Sequence, residues 1–137
     1  MAAFAVKRKY MSIMIQIDHD RRRVVGVASG TLEDRDLFAY QQEAGRFPDY
    51  DEIFDGTAVE HLQDINPACL KKLADVAAAA DRAGRAAKLV IIASQDVHFG
   101  LGRMYGSLRE CAPHATKKSA VFHTREEAEQ WLAAKEE

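Results

Sequence analysis

The 137-residue chain carries 19 basic and 21 acidic residues, a formal net charge of −2, and is 47% hydrophobic and 29% charged. That length suits one domain with a core of its own, and the composition excludes disordered, collagen-like and repeat chains. The charge balance gives no general attraction to nucleic acid or anionic lipid, because phosphate binding needs a basic surface.

Residues 1–11 read as a disordered leader ahead of a single domain over residues 12–135. Ala2 to Val6 are apolar, but Lys7-Arg8-Lys9 follows them instead of preceding them, the wrong order for a signal peptide. Met11 and Met14 offer alternative starts. Ile13, Ile15 and Ile17 alternate as in a half-buried strand, and Asp18-His19-Asp20-Arg21 supplies turn chemistry. Arg23 to Ser29 returns as a second strand, so the pair reads as a hairpin with Arg21-Arg22-Arg23 as solvated charge.

The pattern from Glu33 to Arg46 is helical, with Leu37, Tyr40, Ala44 and Phe47 on one stripe and acidic residues in the first turn. Asp51 to Val59 holds a third strand around Ile53-Phe54. Asn66-Pro67 starts a second helix, a capping side chain followed by proline at the first helical position. Leu70, Leu73, Val76, Ala77 and Ala80 form its stripe and Gly84 its stop. Ala86 to Ser94 is the most apolar strand, as expected of one covered on both faces. Val97, Leu101, Met104, Tyr105 and Leu108 mark a third helix, ended by Pro113. Ser119 to His123 is a last strand, and Thr124-Arg125-Glu126-Glu127 opens a helix with Ala128, Trp131 and Leu132 inward. The order β-β-α-β-α-β-α-β-α predicts an α/β single domain: a mixed, mostly parallel five-stranded sheet with an N-terminal hairpin and four helices.

Motifs for chemistry are sparse. Cys69 and Cys111 have neither metal-knuckle nor redox spacing, and both fall on the apolar sides of predicted helices, as buried free thiols of a cytoplasmic protein would. His19, His61, His98, His114 and His123 show no H-x-H or H-E-x-x-H spacing, and no nucleophile elbow, phosphate loop or dinucleotide fingerprint occurs. No catalytic residue, metal or cofactor is assigned. No apolar run approaches the roughly 18 residues that span a bilayer.

The segment from Ser94 to Tyr105 is the most unusual. Gly100 and Gly102 lie in the first turns of a helix, each costing about 1 kcal/mol relative to alanine. Close packing on the sheet or on another helix explains that cost. So does a helix N-terminus at the carboxyl edge of the central strand, where free N–H groups and Arg103 could hold an anion or a partner. Asp55 follows the third strand near the same edge. The candidate binding set is therefore Asp55, Asn66, Asp96, Phe99, Gly100, Arg103 and Tyr105, with Phe99 and Tyr105 favouring a homodimer if exposed.

Gly30-Thr31-Leu32 before an acidic helix start, Phe54-Asp55, the Leu89 to Ala93 strand and Phe99-Gly100-Leu101-Gly102-Arg103-Met104-Tyr105 together resemble the SpoIIAA-like family. That family groups with the STAS domains and shares a related architecture with CRAL-TRIO lipid-transfer domains. The resemblance spans about residues 13–132 and implies a small α/β domain with a mixed sheet. In anti-anti-sigma proteins of this kind a phosphorylatable serine starts the helix after the third strand. Here that place is Asn66-Pro67-Ala68-Cys69, which offers no hydroxyl, so the phosphoswitch has no acceptor. The resemblance and the missing catalytic constellation imply a non-catalytic regulatory or protein-interaction module. The alternative is a small-molecule or lipid binder, for an apolar or anionic ligand, with its pocket at the carboxyl edge of the sheet.

Overall fold

The computed structural model describes residues 12–82 and 87–134, together with the backbone of residues 4–10. Among these residues the elements run β1 (Phe4–Tyr10), β2 (Ile13–Asp18), β3 (Arg23–Glu33), α1 (Asp34–Ala44), β4 (Asp51–Gln63), α2 (Pro67–Ala79), β5 (Lys88–Ile92), α3 (Asp96–Cys111), β6 (Lys118–Phe122) and α4 (Arg125–Ala133). The five expected strands are β2 to β6, and all four helices are present. Residues 4–10, expected to be a disordered leader, instead pair antiparallel with β2 and make a sixth strand. A lysine- and arginine-rich segment reads as solvated leader, yet charge is also what an edge strand uses to discourage further pairing. The expected helix stop at Gly84 and strand start at Ala86 lie outside the described residues.

The sheet order is simply β1-β2-β3-β4-β5-β6. β2 and β3 form the expected antiparallel hairpin, and β3 to β6 run parallel. Each parallel step needs a crossover, and crossovers are right-handed. Steps that never change direction therefore bring every crossover helix to one face. The buried residues agree: Ile13, Ile15, Val24 and Ala28 of the sheet form one cluster with Leu37 and Tyr40 of α1 and Leu73 of α2, and Phe54 and Tyr105 pack on it. The opposite face holds a smaller cluster, Val25, Ile53, Val90 and Ile92 under Ala128, Trp131 and Leu132 of α4. β5 is thus covered on both sides, as its apolar run requires. Met14 and Val27, beyond the reach of α4, stay partly exposed.

The helix starts follow local chemistry. Asn66 Oδ1 accepts from the Cys69 N–H at 2.9 Å, and Thr124 Oγ1 from the Glu127 N–H at 3.3 Å. At the start of α1 the Asp36 carboxylate accepts from the Glu33 N–H and the Ser12 hydroxyl, tying the helix to the β1–β2 turn. The face of α3 differs from its apolar stripe. Val97 is 71% and Met104 40% exposed, while Gly102, Gly106 and Arg109 are buried. Two glycines let the helix backbone lie close to the sheet: a Cβ on Gly102 would sit 3.2 Å from Ile91 Cγ2, and one on Gly106 2.8 Å from Ser119 Oγ. In α2 the face turns slightly too, burying Ala74 and exposing Val76. Cys69 is half-buried and Cys111 exposed, so Cys111 is not the buried thiol expected. No described helix is long and apolar enough to cross a membrane.

Gly26 in β3 is where Tyr40 rests: a Cβ there would stand 2.5 Å from Tyr40 Cε1. Gly26→Ala should therefore cost about 1–3 kcal/mol in urea denaturation, an overpacking penalty. Gly100 has open space where a side chain would go. Gly100→Ala should stabilise by about 0.5–1 kcal/mol through helix propensity, read as a raised Tm.

Candidate functional site

The seven candidate residues have different surroundings. Asp55 lies level with Ile92 at the carboxyl end of β5 but on the α4 face, where its Oδ1 accepts from the Thr57 N–H and hydroxyl and its Oδ2 stands 4.0 Å from Arg125. Asn66 is spent as the α2 cap. Asp96 is exposed in the first turn of α3. The Phe99 ring stacks on His123, centroids 4.1 Å apart and planes 4° from parallel. Gly100 faces open space and Arg103 borders a shallow groove beside β6 with Glu110 and Ser119. Among the described residues, no three His, Cys, Asp or Glu side chains gather as metal ligands.

Tyr105 alone of the seven lines an apolar cavity of about 120 Å³ between the sheet and the three crossover helices. The cavity extends from the carboxyl ends of β4 and β5, at Val59, Leu62, Ile92 and Ala93, over the sheet face toward Tyr40 and Glu52. The reason is topological: a rim crevice opens where strand order reverses and helices part to opposite faces. This sheet has no reversal. Its helices stay together and leave their gap underneath.

The cavity is built mainly of hydrocarbon. Leu32, Val59, Leu62 and Ile65 wall it from the long β3–β4 arm and the loop after it, Leu70 and Leu73 from α2, and Leu101 from α3. The arm exists because β3 and β4 continue pairing past the end of β5, through Glu33 and Gln63. Sequence reading stopped both strands early, at Ser29 and Val59. His98 and Gly102, in the same unusual segment as Tyr105, complete the α3 side. The signal for this wall was the spacing of His98, Leu101, Gly102 and Tyr105, which shares Leu101 and Tyr105 with the apolar stripe.

Polar groups collect near the amino end. The Tyr40 hydroxyl donates to Glu52 Oε2 at 2.9 Å, and Lys117 Nζ to Glu52 Oε1 at 3.2 Å, all buried. Behind them the Arg109 guanidinium forks onto Asp81, 2.7 and 2.6 Å, with both side chains no more than 3% exposed. Asp81 also accepts from the Thr116 N–H at 2.9 Å. Burial alone would push the Asp81 carboxyl upward, but the Arg109 and Thr116 hydrogen bonds outweigh it and hold it below its ordinary value. Burial, and the negative Glu52 next, push the Tyr105 hydroxyl above its ordinary value against the opposing pull of Arg109. Tyr40 is raised for the same two reasons. Both phenols stay protonated, and the Tyr40 hydroxyl serves as a neutral donor.

Removing one partner of a buried ion pair strands the other charge. Arg109→Leu should cost about 3–5 kcal/mol in urea denaturation at neutral pH. The Asp81 contribution is complete above the ordinary carboxylate range and is lost as pH falls through its lowered folded value. The stability gap between wild type and Arg109→Leu should therefore narrow below about pH 4.

No family model matches the chain, and no curated protein matches it. Among solved structures it is similar to the crystal structure of an uncharacterised protein of the DUF3478 family with a SpoIIAA-like fold from Shewanella loihica PV-4. The two are 16% identical with a TM-score of 0.57, and the match covers 97% of this chain and 96% of that one. At that identity the likeness is one of fold, and it extends over nearly the whole of both chains: this chain has a SpoIIAA-like fold.

Proposed function

We propose that this protein is a non-catalytic binding module whose ligand is a small apolar molecule held between the sheet and α1 to α3. The observation that carries the reading is the cavity of about 120 Å³ with its nearly unbroken hydrocarbon wall. An apolar cavity of about 150 Å³ stays dry and takes up benzene, so this one suits a ring-sized molecule of roughly six to eight heavy atoms. Glu52 supports the non-catalytic part, because both oxygens of this carboxylate in the cavity wall are engaged, by Tyr40 and by Lys117.

A regulatory role through a protein partner is a second reading, favoured by a separate observation. Val97 and Met104, seven residues apart and so on one side of α3, are exposed at 71% and 40%. A partner or a second copy docking there would cover them, and Met104→Glu would abolish the contact in sedimentation or pull-down while leaving the cavity untouched.

The cavity reading is tested by thermal shift with toluene. At a concentration 100 times Kd, a ligand bound only by the folded state adds about 2.7 kcal/mol of stability. Wild type should show a rising Tm with toluene. Leu101→Trp, which fills the space from α3, should lose the response, and so should Ala93→Leu, which fills it from the end of β5. No rise in wild type would sink the reading.

A further inference from the structure

The two ends of the cavity differ in chemistry. Toward the carboxyl end the walls are Val59, Leu62, Ile65, Ala93 and Leu101, with His98 beside them; toward the amino end stand Tyr40, Glu52, Tyr105 and Gln41. Tyr40 and Glu52 satisfy each other, and Arg109 attends Tyr105. Gln41 is the exception. It lies on α1 next to Tyr40, is 7% exposed and lines the cavity, yet its side-chain amide makes no hydrogen bond with any described residue. Its backbone oxygen accepts from the Gly45 N–H at 2.8 Å. An unpartnered carboxamide in a mostly apolar cavity wall has a donor and an acceptor to offer a ligand.

The charges around it balance. Glu52 is matched by Lys117 and Asp81 by Arg109, so no surplus charge is left to hold an ion. A carboxylate placed there would face the Glu52 charge, and an ammonium would compete with Lys117 for it.

Resting on the small-ligand reading above, we propose that Gln41 is the polar anchor of the site, and that its ligand is a neutral ring-sized amphiphile. The ligand carries one hydroxyl or amide group, which points to the amino end and pairs with the Gln41 carboxamide. Its hydrocarbon part lies toward Leu62, Ile65 and Leu101. Arg103 lies apart from this cavity, beside a second groove with Glu110 and Ser119.

The experiment compares toluene, phenol and benzoate by isothermal titration calorimetry on the full chain, in wild type, Gln41→Leu and Gln41→Met. In wild type, phenol should bind at least tenfold tighter than toluene, and benzoate should not bind. In both variants the phenol preference should fall to within twofold, with toluene affinity kept or raised; two replacements guard against one of them failing to fold. Equal binding of phenol and toluene in wild type would overturn the anchor while leaving the cavity reading standing. A phenol preference that survives in the variants, or tight binding of benzoate, would do the same. Binding of none of the three to wild type would instead overturn the cavity reading itself.

Discussion

The fold is governed by one constraint: the parallel strands are laid down in chain order, and every crossover between them has the same hand. β3, β4, β5 and β6 are neighbours in space as in sequence. Right-handed connections then have only one face on which to put α1, α2 and α3. One side of the sheet carries three helices and the larger core, while the other has only α4, returning after the last strand to cover β5 and its neighbours. The absence of a reversal removes the usual rim crevice and makes the interface between helices and sheet the place where space is left over.

How α3 sits in that interface decides what the space looks like. A helix lying on a sheet usually presents leucines and valines. Here the contact is made by Gly102 and Gly106, close to Ile91, Val121 and Ser119, and it ends at a buried Arg109 held by Asp81. The two glycines draw the β6 side of the helix down, and the ion pair pins its last turns to the end of α2. Its first turns, with His98 and Leu101, stand over the long β3–β4 arm, and the gap beneath them is the cavity. The buried charges are costly to desolvate, yet they form two matched pairs whose remaining lone pairs are taken by Tyr40 and the Thr116 and Lys117 N–H groups. They leave the amino end of the cavity polar but uncharged overall.

Much of the element order was legible from local signals. The Asn66-Pro67 start and the Thr124 capping pattern appear as hydrogen bonds in the structure because a helix N-terminus must satisfy its N–H groups wherever it lies. The alternation of Ile13, Ile15 and Ile17 survives as a fully buried row. What misled was inference from a residue's own chemistry to its neighbours. Asp55 looked like a rim carboxylate, but the sheet stands between it and the cavity. Gly100 and Gly102 both looked like points of close approach; Gly102 is one, together with Gly106, and Gly100 is not. The lysines and arginine of residues 7–9 looked like a solvated leader, but β2 offered an edge to pair with.

The sequence by itself determined the order of β2 to β6 and the four helices, and that the domain is α/β, because capping, turn chemistry and hydrophobic period act over a few residues. Only the tertiary structure decided which face of α3 is buried, that Glu52, Lys117, Arg109 and Asp81 meet, and that Gln41 borders an empty space. Those facts depend on contacts between segments far apart in the chain, and a one-dimensional pattern does not record the distance between them.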